Sequence, residues 1–213
     1  MQQRFYVETL GCPKNDVDSD KIVGTLLADG LIATDDPSLA DLVVVNTCAF
    51  IEDARKESID TVLALGAQRK DGARLVVTGC MAERYGAELA EALPEVDQVA
   101  GFGVPVQMGR KPISVSAAPI PSFDLLNLPR PKSTAPWAYV KIAEGCDRNC
   151  GFCAIPSFRG PQRSRDISQI LHEVDELGAK EIVLIAQDLA SYGKDRPSEL
   201  GAGSIVPLVR AVA

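Results

Sequence analysis

The chain has 213 residues, of which 46% are hydrophobic and 24% charged, with a formal net charge of −7. That length holds one large or two small domains, and the composition is that of an ordinary globular fold rather than a disordered chain. No apolar run approaches a membrane span, no signal peptide is evident before the first strand-like segment, and the acidic balance disfavours a nucleic-acid partner while suiting a basic protein one.

The first 102 residues read as alternating strands and helices. Arg4 to Leu10 is strand-like. Asp16 to Asp29 places Val17, Val23, Leu26 and Leu27 at helical spacing, with Gly30 as a stop. Leu42 to Asn46 is a short β-branched run, and Ile51 to Leu65 is a helix ended by Gly66. Arg74 to Thr78 is the next strand, and Ala82 to Leu93 a third helix stopped by Pro94. Continuously apolar strands between helices predict a parallel sheet covered on both faces, a doubly wound α/β domain over residues 1–102.

Residues 103–136 change character. They hold seven of the fourteen prolines and little periodicity, as expected of an interdomain linker. A second unit is expected over 137–213. Ala138 to Ile142 is a strand, Asp166 to Leu177 an amphipathic helix ended by Gly178, and Glu181 to Ala186 a further strand. Asp166 and Gln169 have the spacing of a capping box. This order, β-loop-α-β, is the first part of a (β/α) barrel, and the chain stops at Ala213 well short of a full one.

Six cysteines without secretory context point to metal ligands in a reducing cytoplasm rather than to disulfides. They form two sets of three. Cys12, Cys48 and Cys80 end the segments YVETLGC, LVVVNTC and RLVVTGC, each at the carboxyl end of a predicted strand and ahead of a helix. In a parallel sheet those ends share one edge, where ligands gather. Helix N-termini there offer N–H donors and the positive dipole end to a thiolate. The competing reading of any one of them is a small buried apolar residue; recurrence at three equivalent strand ends weighs against it.

The second set is Cys146, Cys150 and Cys153 in the run EGCDRNCGFC. A C-x3-C-x-aromatic-C loop offers three thiolates to a [4Fe–4S] cluster and leaves one iron open to a ligand, unlike a ferredoxin, which closes its cluster with four. Zinc favours paired Cys/His sets, and the single histidine, His172, lies on the predicted helix as an exposed residue.

That signature is the one of the radical S-adenosylmethionine (SAM) superfamily, and the stretch Tyr139 to Arg165 resembles the corresponding loop of the methylthiotransferases. Thr9 to Asp20 (TLGCPKNDVDSD) is similar to the start of their N-terminal domain, and Ile182 to Asp195 to their next strand and loop. GCPKN, in place of GCQMN or GCKVN, sides with the RimO branch, which acts on a small-subunit ribosomal protein, rather than with the tRNA-modifying branches. The resemblance implies two [4Fe–4S] clusters, one on each cysteine trio, with SAM bound at the open iron of Cys146, Cys150 and Cys153. It implies a transferase that adds a methylthio group to the β-carbon of an aspartate, served by an electron donor and a sulfur donor.

The resemblance also implies a place near the SAM adenine for Phe152, for which a packing residue under the loop is the alternative. Arg159, Arg163 and Arg165 resemble family positions that meet SAM carboxylate or cluster charge, against a solvated basic loop. Many relatives in the superfamily carry Gly-Gly-Glu after the second strand; here Ala186-Gln187-Asp188 stands there, giving Gln187 or Asp188 that role. Lys14 and Asn15 are expected to cap the first helix. Two other readings stay open at this point: a tRNA adenosine methylthiotransferase, and a metal-binding or electron-transfer module, or inactive fragment, without SAM cleavage.

Overall fold

The computed structural model describes residues 2–102, 104–106, 108, 125–196 and 203–213. The chain falls into two units, Met1–Leu128 and Pro129–Ala213.

In the first unit β1 (Arg4–Thr9), β2 (Ile32–Ala33), β3 (Leu42–Thr47), β4 (Arg74–Gly79) and β5 (Gln98–Ala100) form one sheet in the order β2-β1-β3-β4-β5. Every pairing in it is parallel. Helices α1 (Pro13–Ala28), α2 (Glu52–Gln68) and α3 (Cys80–Ala92) supply the crossovers. The chain winds one way from β1 to β2 and the other way from β3 through β4 to β5. Right-handed crossovers therefore put α1 on one face and α2 and α3 on the other. The middle strands are covered twice, which is why they do not alternate: Leu42, Val43, Val44, Val45, Leu75, Val76 and Val77 are all fully buried. On the α1 side Phe5, Leu42, Val44 and Val76 pack with Ile22 and Leu26. Each such side chain contributes ~1.5–3 kcal/mol by leaving water.

The element boundaries differ from the sequence reading in instructive ways. Helix α1 starts at Pro13, where a fixed φ and a missing N–H cost nothing. Helix α2 does not stop at Gly66 but runs on to Gln68. A Cβ on Gly66 would come within 3.4 Å of Leu75 Cδ2, so this glycine admits close packing on β4 rather than ending the helix. The edge strands β2 and β5 are two and three residues long, too short for any period to reveal them. Val106 and Leu125, inside the Pro-rich stretch read as a linker, are buried in the first unit's core, and Lys21 Nζ donates to Leu126 O. The middle of that stretch, 109–124, lies outside the described residues.

The second unit contains β6 (Trp137–Lys141), β7 (Ala143–Glu144), α4 (Ile155–Arg159), β8 (Arg163–Ser164), α5 (Ile167–Leu177), β9 (Glu181–Ile185) and α6 (Val206–Val212). Strands β6 and β9 pair in parallel, with α5 between them in sequence, so the expected β-loop-α-β unit is present. Val140, Ile142, Ile170, Leu177, Tyr192 and Leu208 form its core. Gly178 ends α5 in the left-handed region (φ 62°). The capping box does not form. Asp166 stands at the N-cap without a side-chain cap bond, and its Oδ1 instead meets Arg196 Nη2 at 2.9 Å. Among the described residues no helix is long and apolar enough to cross a membrane.

Candidate metal centres

The first set of cysteines lies at the carboxyl edge of the parallel sheet. Cys12 is the N-cap of α1, Cys48 follows β3 directly, and Cys80 is the first residue of α3. The winding direction reverses between β1 and β3, so Cys12 and Cys48 flank the switch point where open α/β sheets bind ligands. Cys48 and Cys80 are buried and Cys12 half-buried, and none is in a disulfide.

Two glycines allow the turns to approach one another. Gly11 (φ 101°) sits so close to Cys48 that a Cβ on it would lie 2.8 Å from Cys48 Cβ and 3.0 Å from its Sγ. Gly79 (φ 91°) presses on β3, where a Cβ would collide with Asn46 Oδ1 and stand 2.5 Å from Thr47 O. A polar network lies beneath. Asn15, read from the sequence as a helix cap, is instead fully buried in the first turn of α1, and its Nδ2 donates to Leu10 O at 2.7 Å and to Thr47 O at 3.1 Å. The Cys80 thiol donates to Asn15 Oδ1 at 3.7 Å. Ser58 Oγ receives Cys48 N–H and donates to Cys48 O, both at 3.1 Å, fixing that residue against α2. Arg84 of α3 reaches Ala49 O at 3.0 Å. Lys14 is half-buried.

In the second unit β6 delivers the loop that carries Cys146, Cys150 and Cys153. Cys146 is buried, Cys150 exposed and Cys153 between the two. Cys146 N–H donates to Gly160 O at 3.0 Å, and Arg148 N–H points to Cys146 Sγ at 3.5 Å. The loop is closed from below by Glu144, which is buried and receives Lys141 Nζ at 2.8 Å and Arg159 Nη1 at 3.1 Å. Gln187 Nε2 and, at 3.3 Å, Gly145 N–H also donate to it. Burial pushes the Glu144 carboxyl up, but the charges of Arg159 and Lys141 and the bonds from Lys141 and Gly145 outweigh it and hold it well below the usual carboxylate range.

The structure therefore brings Arg159 and Gln187 together on one carboxylate, and buries Gln187 Oε1 with no hydrogen-bond partner among the described residues. Asp188 holds the top of the loop instead, through Arg148 Nε at 2.6 Å, and also accepts from Ser191 Oγ at 2.7 Å. Arg165 is no solvated loop residue: its Nη1 contacts Glu173 Oε2 at 2.6 Å and donates to Lys141 O at 2.8 Å. Arg163 is half-buried on β8, opposite Glu144. Phe152 is 89% exposed, which removes the reading of a packing residue under the loop. His172 is exposed, as expected, and meets Glu176 at 3.4 Å.

Sequence reasoning missed Glu144, Lys141 and the place of Asn15. A signal was there for the first two. In AYVKIAEGC a lysine and a glutamate interrupt an otherwise apolar strand end three residues apart, and charges in such a run are buried only when paired.

As they stand, no three His, Cys, Asp or Glu side chains among the described residues are grouped so as to hold a metal ion. The donor chemistry nonetheless fits thiophilic metal. Each set offers three unbridged thiols, the softness that iron–sulfur clusters select. Cys12, Cys48 and Cys80 come from turns in direct contact. Cys146, Cys150 and Cys153 share one loop.

Two family profiles match the chain. Residues 4–101 match the one described as uncharacterized protein family UPF0004, and residues 140–200 match the radical SAM superfamily. Relatives named ribosomal protein uS12 methylthiotransferase RimO are similar along almost the whole chain. The one from Anaeromyxobacter sp. (strain K) is 43% identical over 97% of this chain and 46% of its own length. The one from Myxococcus xanthus is 46% identical over 91% of this chain and 43% of its own, and that from Geobacter sulfurreducens 42% over 100% and 50%. The chain thus spans about half the length of the curated relatives it matches. With UPF0004 followed by radical SAM in one chain, and this level of identity across both, the chain is similar to the radical-SAM methylthiotransferases of the RimO branch.

Proposed function

We propose that this chain is the cluster-bearing part of a methylthiotransferase that modifies an aspartate β-carbon in a small-subunit ribosomal protein, the relatives' names pointing to uS12. The observation that carries the reading is the presence of two separate sets of three thiols, the first at the carboxyl ends of parallel strands and the second in the loop that follows β6 and β7, in units that match the two families. Cys146, Cys150 and Cys153 hold one [4Fe–4S] cluster with an open iron for SAM, and Cys12, Cys48 and Cys80 hold the second. When bound, the first cluster and SAM supply a one-electron cleavage that yields a hydrogen-abstracting radical, chemistry beyond any side chain here.

The residues of the chain provide the rest. Glu144, pinned by Lys141 before the cysteine loop and by Arg159 after it, ties the two ends of that loop together. Gln187 is held just past the end of β9 by Glu144, and its buried Oε1, which has no hydrogen-bond partner among the described residues, has the acceptor chemistry that an ammonium donor such as the methionyl amine of SAM requires. Phe152 stands exposed beside Cys153, free to lie against an adenine face. On the first unit, turns lined by backbone N–H groups at the starts of α1 and α3 favour an anionic sulfur-bearing centre. The reaction needs an electron donor and a source of sulfur, and the free thiols call for a reducing compartment such as the cytoplasm.

The test is iron and sulfide content after anaerobic reconstitution, with EPR of the reduced sample with and without SAM. About eight irons per chain and a spectrum perturbed by SAM support the reading. About four irons leave Cys12, Cys48 and Cys80 as core residues; zinc, or a cluster indifferent to SAM, sinks it.

A further inference from the structure

We propose that Asn15 is the positioning residue of the first cysteine set. Its carboxamide ties the turns that carry Cys12, Cys48 and Cys80 to one another and so sets the spacing of the three thiols. The inference rests on the reading that these thiols share one centre, and goes beyond it by naming what holds them.

Asn15 touches all three turns at once. Its backbone N–H bonds Cys12 O at 2.7 Å. One side-chain N–H goes to Leu10 O, two residues before Cys12, and the other to Thr47 O, the residue before Cys48. Its Oδ1 faces Cys80 Sγ. A Cβ on Gly11 would lie 3.4 Å from its Nδ2, so the Cys12 turn is also packed on it. Asn46 Nδ2 then grips Asn15 O at 2.9 Å and Ser19 Oγ at 2.9 Å, which fixes the helix turn bearing Asn15 to β3.

The side-chain chemistry leaves few alternatives. The position requires two N–H donors on one atom and an acceptor on the next, within a fully buried space. Serine and threonine have one donor. Aspartate has the shape but no donor, and would set a carboxylate against two carbonyls. Glutamine has the groups and one methylene too many. The two carbonyls also settle which way the amide points, since Nδ2 must lie between them; Oδ1 is thereby left for Cys80.

The experiment uses the full chain with Cys146→Ala, Cys150→Ala and Cys153→Ala, so that only the first set reports. Inorganic arsenite condenses with three neighbouring thiols, releasing water without any redox change, and so measures their spacing with no iron present. Iron retained after reconstitution is read alongside. The parent is expected to capture about one arsenic per chain. Asn15→Asp, equal in volume, is expected to weaken capture about tenfold or more and to lower retained iron in step. Ser19→Ala, which breaks the same network without touching a cysteine-bearing turn, is expected to leave both close to the parent's values. A cooperatively melting Asn15→Asp chain with parental capture and iron overturns the proposal and leaves the shared-centre reading standing. A parent that captures neither arsenic nor iron overturns both. An Asn15→Asp chain without a cooperative melt overturns the proposal too, because Asn15 is then a residue of the fold rather than of thiol spacing.

Discussion

Glu144 offers the sharpest test of how the second unit is held together. It is only 8% exposed, and it is surrounded by donors: Lys141 Nζ, Arg159 Nη1, Gln187 Nε2 and Gly145 N–H. Glu144→Gln keeps the volume and removes the charge, so two buried cations lose their shared counter-ion. Breaking a buried ion pair from one side costs ~3–5 kcal/mol. A unit of this size has ~4–13 kcal/mol in all, so the variant should be near the edge of folding. Urea unfolding of the metal-free chain reads this directly, because Trp137, the single tryptophan, lies at the start of β6 in the same unit. The pH dependence gives a second, independent arm. The carboxyl is moved from 4.5 to about 2, with burial raising it and Arg159 and Lys141 together lowering it further. A depressed carboxylate stabilises the fold above its unfolded value and loses that contribution as pH falls through the folded one. The gap between parent and variant should therefore be full above about pH 5 and close toward pH 2. Lys141→Met added to Glu144→Gln should recover part of the loss, since one of the two buried cations that faced the removed charge is gone. A Glu144→Gln chain within ~1 kcal/mol of the parent at neutral pH, or a gap that does not change with pH, would refute the view that this carboxylate anchors the cysteine loop.

Gly11→Ala places a Cβ 2.8 Å from Cys48 Cβ at a φ of 101°; backbone strain alone is roughly 1–2 kcal/mol, and iron retained by the first set should fall, measured in the chain lacking the other three cysteines. Glu173→Gln takes away the carboxylate that Arg165 and Arg130 both contact in the buried interior at 2.6 and 2.8 Å, and should cost ~3–5 kcal/mol in the Trp137-monitored unfolding curve. Asp188 is held below its ordinary range by the bond from Ser191 and then by Arg148. Its tie to the loop is therefore full above the usual carboxylate value and released only as pH falls through the lowered one, so Asp188→Asn should raise amide exchange of the loop around Arg148 at neutral pH and make no difference in strong acid. His172→Ala, on an exposed site, should stay within ~0.5 kcal/mol of the parent and leave iron content unchanged.

What the sequence makes legible is whatever repeats or is spaced by local geometry. The unbroken runs LVVV and RLVV could only be doubly covered strands, and all their inner residues are buried at 0–3% from Leu75 to Thr78. Once those strands are parallel, their cysteines must share an edge, so the grouping of Cys12, Cys48 and Cys80 follows from topology before any contact is known. What stays hidden is set by side chains from distant segments meeting in the interior. Arg159 and Arg165 both sit in a basic stretch that reads as a solvated loop, yet each is buried because a single acid, Glu144 or Glu173, lies in reach after folding. Gly66 reads as a stop and is a contact surface for Leu75. Asn15 reads as a cap, and its side chain touches all three cysteine-bearing turns. In each case the residue type carries two local meanings, and only the neighbour brought by the fold selects one. The cysteines of this chain were readable because three share one short loop and three end parallel strands; the residues that hold their turns in place were not, because a buried hydrogen bond imposes no spacing on sequence.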